Sequence, residues 1–124
     1  MISFFEKHNK LSWLTAIIGA VLIFYISSRT FQPTEGGFSL TPIVYHFYAF
    51  FLLSAFILIS ILKGKIKKKK IIIGIAIAIF YGISDEIHQL FVPGRSFSLF
   101  DIMINSTGII FAAILYIQRF KFKK

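Results

Sequence analysis

The sequence predicts an all-α protein, a bundle of four helices that span a membrane. Hydrophobic residues make up 56% of the 124 residues and charged residues only 15%, whereas a soluble domain carries about 25% charged residues. The apolar residues gather into four long runs, and about 20 helical residues cross a bilayer core of about 30 Å. The runs cover residues 11–28, 43–62, 71–91 and 97–117. Because little chain lies outside them, residues 1–124 are expected to form a single membrane domain.

The first two spans place a few polar side chains at their outer ends. The first span, 11–28, contains no acidic residue and ends in Ser27 and Ser28. The second span, 43–62, carries His46 near its start. Because consecutive spans run in opposite directions, these hydroxyls and this imidazole are expected at a similar membrane depth.

The third and fourth spans contain most of the acidic residues of the chain. The segment "YGISDEIHQLFVPGRSFSLFDIMINSTG", residues 81–108, holds three of the five. At a rise of 1.5 Å per residue, Asp85 lies about 21 Å along the third span, and Asp101 lies about 24 Å from the inner end of the fourth. The polar side chains at this shared depth, capped from the turn by Arg95, are Asp85, Glu86, His88, Gln89, Asp101 and Asn105.

Spacings of three and four residues place small and polar side chains on one face of each of these two helices. On the third span, Gly74, Ala78 and Gly82 precede Asp85 on such a face, which also carries Tyr81, His88 and Gln89. The fourth span has a similar stripe of Ser98, Asp101, Asn105, Gly108 and Ala112. Because small residues allow membrane helices to approach closely, we expect spans three and four to form an antiparallel hairpin. Glu86 lies about 100° from Asp85 around the helix, so it can face a neighbouring helix instead.

The carboxylates of these spans are expected to face the protein interior, because one charged side chain near the centre of a membrane helix costs about 2.5–3.5 kcal/mol. The sequence therefore predicts a polar pocket that opens outward. Its predicted binding residues are Asp85, Glu86, Gln89, Arg95, Asp101, Asn105 and His46. Its candidates for acid–base chemistry are Glu86, Asp101 and His88.

The basic residues predict the orientation. Twelve of the fourteen lie in three groups: before the first span, between the second and third, and after the fourth. Four crossings put these groups on one side, which the positive-inside rule assigns to the cytoplasm, so both termini are expected inside. This topology accounts for the net charge of +9 without nucleic acid, and the same residues can contact anionic lipids. They are Lys7 and Lys10; Lys63, Lys65, Lys67, Lys68, Lys69 and Lys70; and Arg119, Lys121, Lys123 and Lys124.

No cofactor is expected. The chain has no cysteine, which excludes a disulfide framework and a thiolate metal site. A metal held by His88, Asp85 and Asp101 is conceivable, but the spacing along the chain matches no metal-binding motif, so the sequence predicts none.

The segment "DEIHQLFVPGRSFSLFDIMINSTG" resembles the signature of the VanZ-like family of small bacterial membrane proteins. The matching positions over these 24 residues are Asp85, Glu86, Gln89, Phe91, Arg95, Asp101, Asn105 and Gly108. His46 resembles a second motif of the family, although Pro42 and Ile43 replace its usual acidic–basic pair. The resemblance implies a bacterial cytoplasmic membrane protein, and the founding member is associated with resistance to the glycopeptide antibiotic teicoplanin.

Three functions remain open at this stage, and a non-catalytic one is favoured. In the first, the protein acts in the cell envelope, where its pocket binds a lipid headgroup, a lipid-linked cell-wall precursor or a lipoglycopeptide, with glycopeptide tolerance as the specific expectation. In the second, it is an intramembrane enzyme that uses the Asp/Glu/Arg cluster on a lipid-linked substrate. In the third, it is a small proton-coupled transporter, which the acid-free first span disfavours. An oligomer is compatible with all three.

Overall fold

The computed structural model describes residues 1–30 and 39–122, and all regular secondary structure within them is helical. The helices are α1 (Ile2–Lys7), α2 (Asn9–Ser27), α3 (Thr41–Leu62), α4 (Lys68–Gln89) and α5 (Leu99–Lys121). The all-α prediction is confirmed. Most of the connection between the first two predicted spans, and the last two lysines, lie outside the described residues.

Helices α2 to α5 are long and apolar enough to cross a membrane. Their lengths of 19 to 23 residues correspond to about 28–35 Å, which matches a hydrocarbon core of about 30 Å. Large apolar side chains such as Phe80, Val21 and Met103 are exposed, whereas Glu86 and Asn105 are buried. This distribution, with polar side chains inside and apolar side chains outside, is the one that a bilayer favours, because lipid cannot solvate a charge that faces it.

Helix α3 is central to the bundle, because it contacts all four of the other helices. The most extensive contact of α5 is with α3, and α4 packs against both. A hairpin of the third and fourth spans therefore stays a prediction. Helices α3 and α5 approach closely at Gly108 of α5, where a Cβ atom would overlap the backbone carbonyl of Phe47. Phe50, Leu53 and Ile109 form the buried apolar core nearby.

The helix ends differ from the predicted span limits by at most four residues. Helix α4 begins at Lys68 instead of residue 71, because lysine is a good helix former and the helix extends beyond its apolar part. It ends at Gln89 instead of residue 91, close before Pro93, which disfavours helical backbone in the residue preceding it. Lys70 donates a hydrogen bond to the carbonyl of Ile61 (3.2 Å), and this bond ties the start of α4 to the last turn of α3.

The short helix α1 was not predicted from the sequence. Ile2 and Phe5 pack against the core residues near the end of the bundle. Glu6 accepts hydrogen bonds from Arg119 (2.7 Å) and Tyr116 (2.8 Å) of α5. Helix α1, the α3–α4 turn and the end of α5 thus meet at one end of the bundle, which we call the basic end. The opposite end, where α4 ends and α5 begins, we call the polar end.

Candidate functional site

Six polar side chains from three helices meet in the interior near the polar end, and we call them the polar cluster. They are His46 of α3, Asp85, Glu86 and Gln89 of α4, and Asp101 and Asn105 of α5. Glu86 is fully buried, four of the others are at most 5% exposed, and the side chain of Asp101 is 22% exposed. The helices of the bundle therefore shield these groups from lipid, where exposed charged side chains would be energetically costly.

The imidazole of His46 is held in one orientation by Asn105. His46 Nδ1 lies 2.9 Å from Asn105 Oδ1. An amide oxygen only accepts hydrogen bonds, so Nδ1 carries a proton and donates it. The other ring nitrogen, Nε2, lies 3.6 Å from Asp101 Oδ2, so His46 and Asp101 face each other across the cluster.

Ser98 positions both Glu86 and Asp101. It is the N-cap of α5, where its hydroxyl accepts the backbone N–H of Asp101 (3.2 Å). In a capping box the acidic residue at the third helical position would return this bond to the N-cap backbone. Here Glu86 of α4 accepts the Ser98 N–H instead (3.0 Å). The carboxylate of Asp101 therefore faces His46, and Glu86 is fixed at the start of α5.

Gln89 links the carboxylates to the turn that follows α4. Its amide nitrogen donates to Glu86 (3.2 Å) and to Asp85 (3.4 Å). Its amide oxygen accepts a hydrogen bond of 2.9 Å from Arg95. Arg95 also donates to the backbone carbonyl of Arg29 (3.3 Å) at the end of α2. The half-buried guanidinium thus lies between the buried acids and the surface of the polar end.

The turn that carries Arg95 is docked on the end of α2. Thr30 donates a hydrogen bond to the carbonyl of Pro93 (2.7 Å). Gly94 has a φ of +77°, and a Cβ atom there would lie 2.8 Å from the methyl group of Thr30. Glycine is therefore required at this position both by its backbone conformation and by the closeness of Thr30.

Asp85 and Glu86 face different neighbours, although they are adjacent in the chain. Asp85 lies beside Ser27 of α2 and close to Tyr45 of α3. Glu86 bonds to the start of α5, within the seam between α4 and α5. Consecutive side chains on a helix point about 100° apart. Because α4 contacts both α2 and α5, two adjacent residues can face different helices. The structure thus turns Asp85, and not Glu86, away from α5.

His88 belongs to the contact between α4 and α2. Its Nε2 lies 2.9 Å from the hydroxyl of Ser28, and its ring stacks on Phe24 at a centroid distance of 4.4 Å. The structure therefore places this candidate acid–base residue away from the bond that joins Glu86 to Ser98. His46, from the second span, takes the position beside the acids of α4 and α5.

Three potential ligand atoms converge inside the polar cluster. One atom each from His46, Glu86 and Asp101 lies within 4.8 Å of the other two. Sequence reasoning placed these residues at one depth but did not identify the role of Ser98. The signal for it was the capping pattern Ser98-Leu-Phe-Asp101, a serine three residues before an acidic residue at the start of an apolar run.

Comparison with curated proteins and with solved structures found no match. A comparison with protein families found one, since the VanZ/LLP1 family model matches residues 5–121 of the 124. This match covers α2 to α5 and the second half of α1, and it therefore includes the polar cluster and most of the basic end. The chain belongs to the VanZ/LLP1 family.

Proposed function

We propose that the protein lies in the bacterial cytoplasmic membrane with both termini in the cytoplasm and the polar end towards the outside. Four apolar helices and the family match support a membrane protein of this type. The orientation is supported by the charges, because α1, the lysine-rich α3–α4 turn and the end of α5 meet at the basic end. The positive-inside rule assigns such an end to the cytoplasm.

At the polar end, the protein binds the headgroup of a lipid-linked envelope molecule. The observation that carries this proposal is the position of Arg95, half-buried and joined through Gln89 to two buried carboxylates. A guanidinium suits phosphate and carboxylate groups, whereas carboxylates accept hydrogen bonds from hydroxyl and ammonium groups. A ligand with an anionic group and neighbouring donors fits both, as a cell-wall precursor, a phospholipid or a lipoglycopeptide does. Occupation of this site by such a molecule is our proposed route to glycopeptide tolerance.

Native mass spectrometry of the protein released from its own membrane tests this proposal. We expect a bound lipid or precursor on the wild-type chain and its loss from Arg95→Ala, because the anionic group loses its partner. The matched control is Arg29→Ala, which removes the same charge from the same end but leaves the Arg29 carbonyl that accepts from Arg95. Equal retention of the bound molecule by both variants contradicts the proposal.

A further inference from the structure

We propose that His46, Glu86 and Asp101 form a binding site for one divalent transition-metal ion. The three side chains come from α3, α4 and α5, and each offers one ligand atom within 4.8 Å of the others. This inference goes beyond headgroup binding and does not depend on it, since the ligands belong to the chain itself. It also departs from the expectation of no metal site, which was based on the spacing of residues along one or two helices.

The distances suit an ion after small side-chain movements. Zn²⁺ lies about 2.0–2.2 Å from imidazole nitrogen and carboxylate oxygen ligands. Two such ligands at octahedral or tetrahedral angles are therefore about 2.8–3.6 Å apart. The Nε2 atom of His46 and the Oδ2 atom of Asp101 are 3.6 Å apart, so this pair is at the upper end of the required separation. The ligand atom of Glu86 lies within 4.8 Å of the other two ligand atoms.

The hydrogen bonds around the three residues are those that orient metal ligands. Asn105 accepts the Nδ1 proton of His46 and so leaves the Nε2 lone pair for an ion. Ser98 and Gln89 each donate to one oxygen of Glu86, and each of these oxygens has a second lone pair. Metal-binding histidines usually donate their other N–H to an oxygen, and ligating carboxylates are usually hydrogen-bonded as well.

The charge of the region also favours a dication. Asp85, Glu86 and Asp101 carry three negative charges when ionised, and Arg95 carries one positive charge close to them. Counted without His46, these four side chains sum to −2, which one divalent ion balances. Buried carboxylates require such compensation, because an uncompensated charge in a protein interior is strongly unfavourable.

One fully buried polar atom beside these ligands gives independent support. Within the part of the chain that the structure describes, Asn105 Nδ2 has no hydrogen-bond partner, while the oxygen of the same amide bonds to His46. The Asn105 side chain is 1% exposed, and buried polar atoms of this kind are normally paired. A metal-bound water can accept a hydrogen bond from this nitrogen.

The mixture of ligands restricts the ion. Imidazole suits zinc and iron, whereas carboxylate suits manganese and magnesium. One imidazole with two carboxylates therefore fits Zn²⁺, Mn²⁺ or Fe²⁺. Three protein ligands leave a coordination position free, and the partial exposure of Asp101 puts that position on the accessible side of the cluster.

Metal content and binding of the full chain in lipid nanodiscs test the proposal. Tag-free protein is stripped with a chelator and titrated separately with Zn²⁺ and Mn²⁺. We expect one tightly bound ion per chain, with an increase in thermal stability as it binds. We expect this binding to be lost in His46→Ala, Glu86→Gln and Asp101→Asn. In Asn105→Ala, which removes only the orienting oxygen, we expect affinity to fall by about 10–100-fold. The matched control is His88→Ala, since this histidine lies at the same end but contacts α2, and it should bind like wild type.

Pulsed electron paramagnetic resonance of Mn²⁺-loaded wild-type protein keeps the proposal testable if a variant fails to fold. Coupling to an imidazole nitrogen that persists in His88→Ala supports the site. The proposal is overturned if the wild-type chain binds no ion, if Mn²⁺ shows no imidazole coupling, or if the folded His46→Ala protein retains full affinity. A wild-type chain that binds no ion but still carries the co-purifying lipid would reject the metal site and leave the headgroup proposal standing.

Discussion

At the scale of single residues, the cluster depends on pairs in which one side chain fixes another. Asn105 fixes the tautomer of His46, and Ser98 holds Glu86 through its backbone and Asp101 through its hydroxyl. Removing one partner from a buried polar pair leaves the other unsatisfied, which costs about 1–3 kcal/mol and more for a charged group. Single substitutions here should therefore be far more damaging than at the exposed lysines of the basic end.

Teicoplanin susceptibility of bacteria that express the protein tests this contrast. We expect Arg95→Ala and Asp101→Ala to reduce tolerance to the level of cells that lack the protein. Asp101 belongs to the polar cluster, and Arg95 bonds to Gln89 of that cluster. Lys68→Ala, an exposed lysine at the opposite end, should leave tolerance unchanged. The amount of folded protein in the membrane is measured in parallel. If the lysine change is the more damaging one, the assignment of function to the polar end is wrong.

The gathering of acids at one depth was predictable from the sequence, but their partners were not. Membrane depth follows from counting residues along a helix, and that count brought Asp85, Asp101 and Asn105 to one level. Rotation about the helix axis depends on which helices are neighbours, and one sequence does not specify them. For this reason His88, which contacts α2, was named as an acid–base candidate. His46 was expected in the pocket with Glu86 and Asp101, but not as a metal ligand beside them.

At the scale of helices, the bundle depends on close approach at small residues. Gly108 of α5 lies against the backbone of α3 at Phe47, where no side chain can rotate away to make room. This contact lies one turn from Asn105, so the hydrogen bond between Asn105 and His46 requires α3 and α5 to be this close. At Gly19 of α2, in contrast, no described atom outside its own stretch of helix lies within 4 Å of the position that a Cβ would occupy.

Gly108→Ala should therefore lower the free energy of unfolding by about 1–3 kcal/mol, the usual cost of overpacking. Gly19→Ala is the matched control and should be neutral or slightly stabilising, because alanine is the better helix former. Reversible unfolding in the same detergent or lipid mixture measures both variants. Equal stability of the two would show that α3 and α5 are not in backbone contact at Gly108.

The four long helices were predictable because membrane thickness sets their length, and their ends differ from expectation by at most four residues. Helix α1 was not, because six residues give too little pattern for a helix signal. Its position depends on the bonds from Glu6 to Arg119 and Tyr116, which join residues more than 100 positions apart in the chain. Contacts of this range become visible only in the folded bundle.

At the scale of the whole molecule, charge is divided between two ends. Basic side chains surround the basic end, and three of the five acids of the chain are enclosed near the polar end. The bilayer explains both features, since lysines are stable at the headgroups and carboxylates at membrane depth must be enclosed by protein. Helices α3, α4 and α5 enclose those carboxylates in one cluster together with His46.

The most direct test is a solid-state NMR distance in lipid bilayers between the imidazole nitrogen of His46 and the carboxyl carbon of Asp101. The other two histidines, His8 and His88, are replaced by glutamine so that only one imidazole is labelled. We expect a distance below about 5 Å. The separation of Nε2 from Oδ2 is 3.6 Å, and the carboxyl C–O bond adds at most about 1.2 Å. The absence of measurable dipolar coupling between these two sites would contradict it.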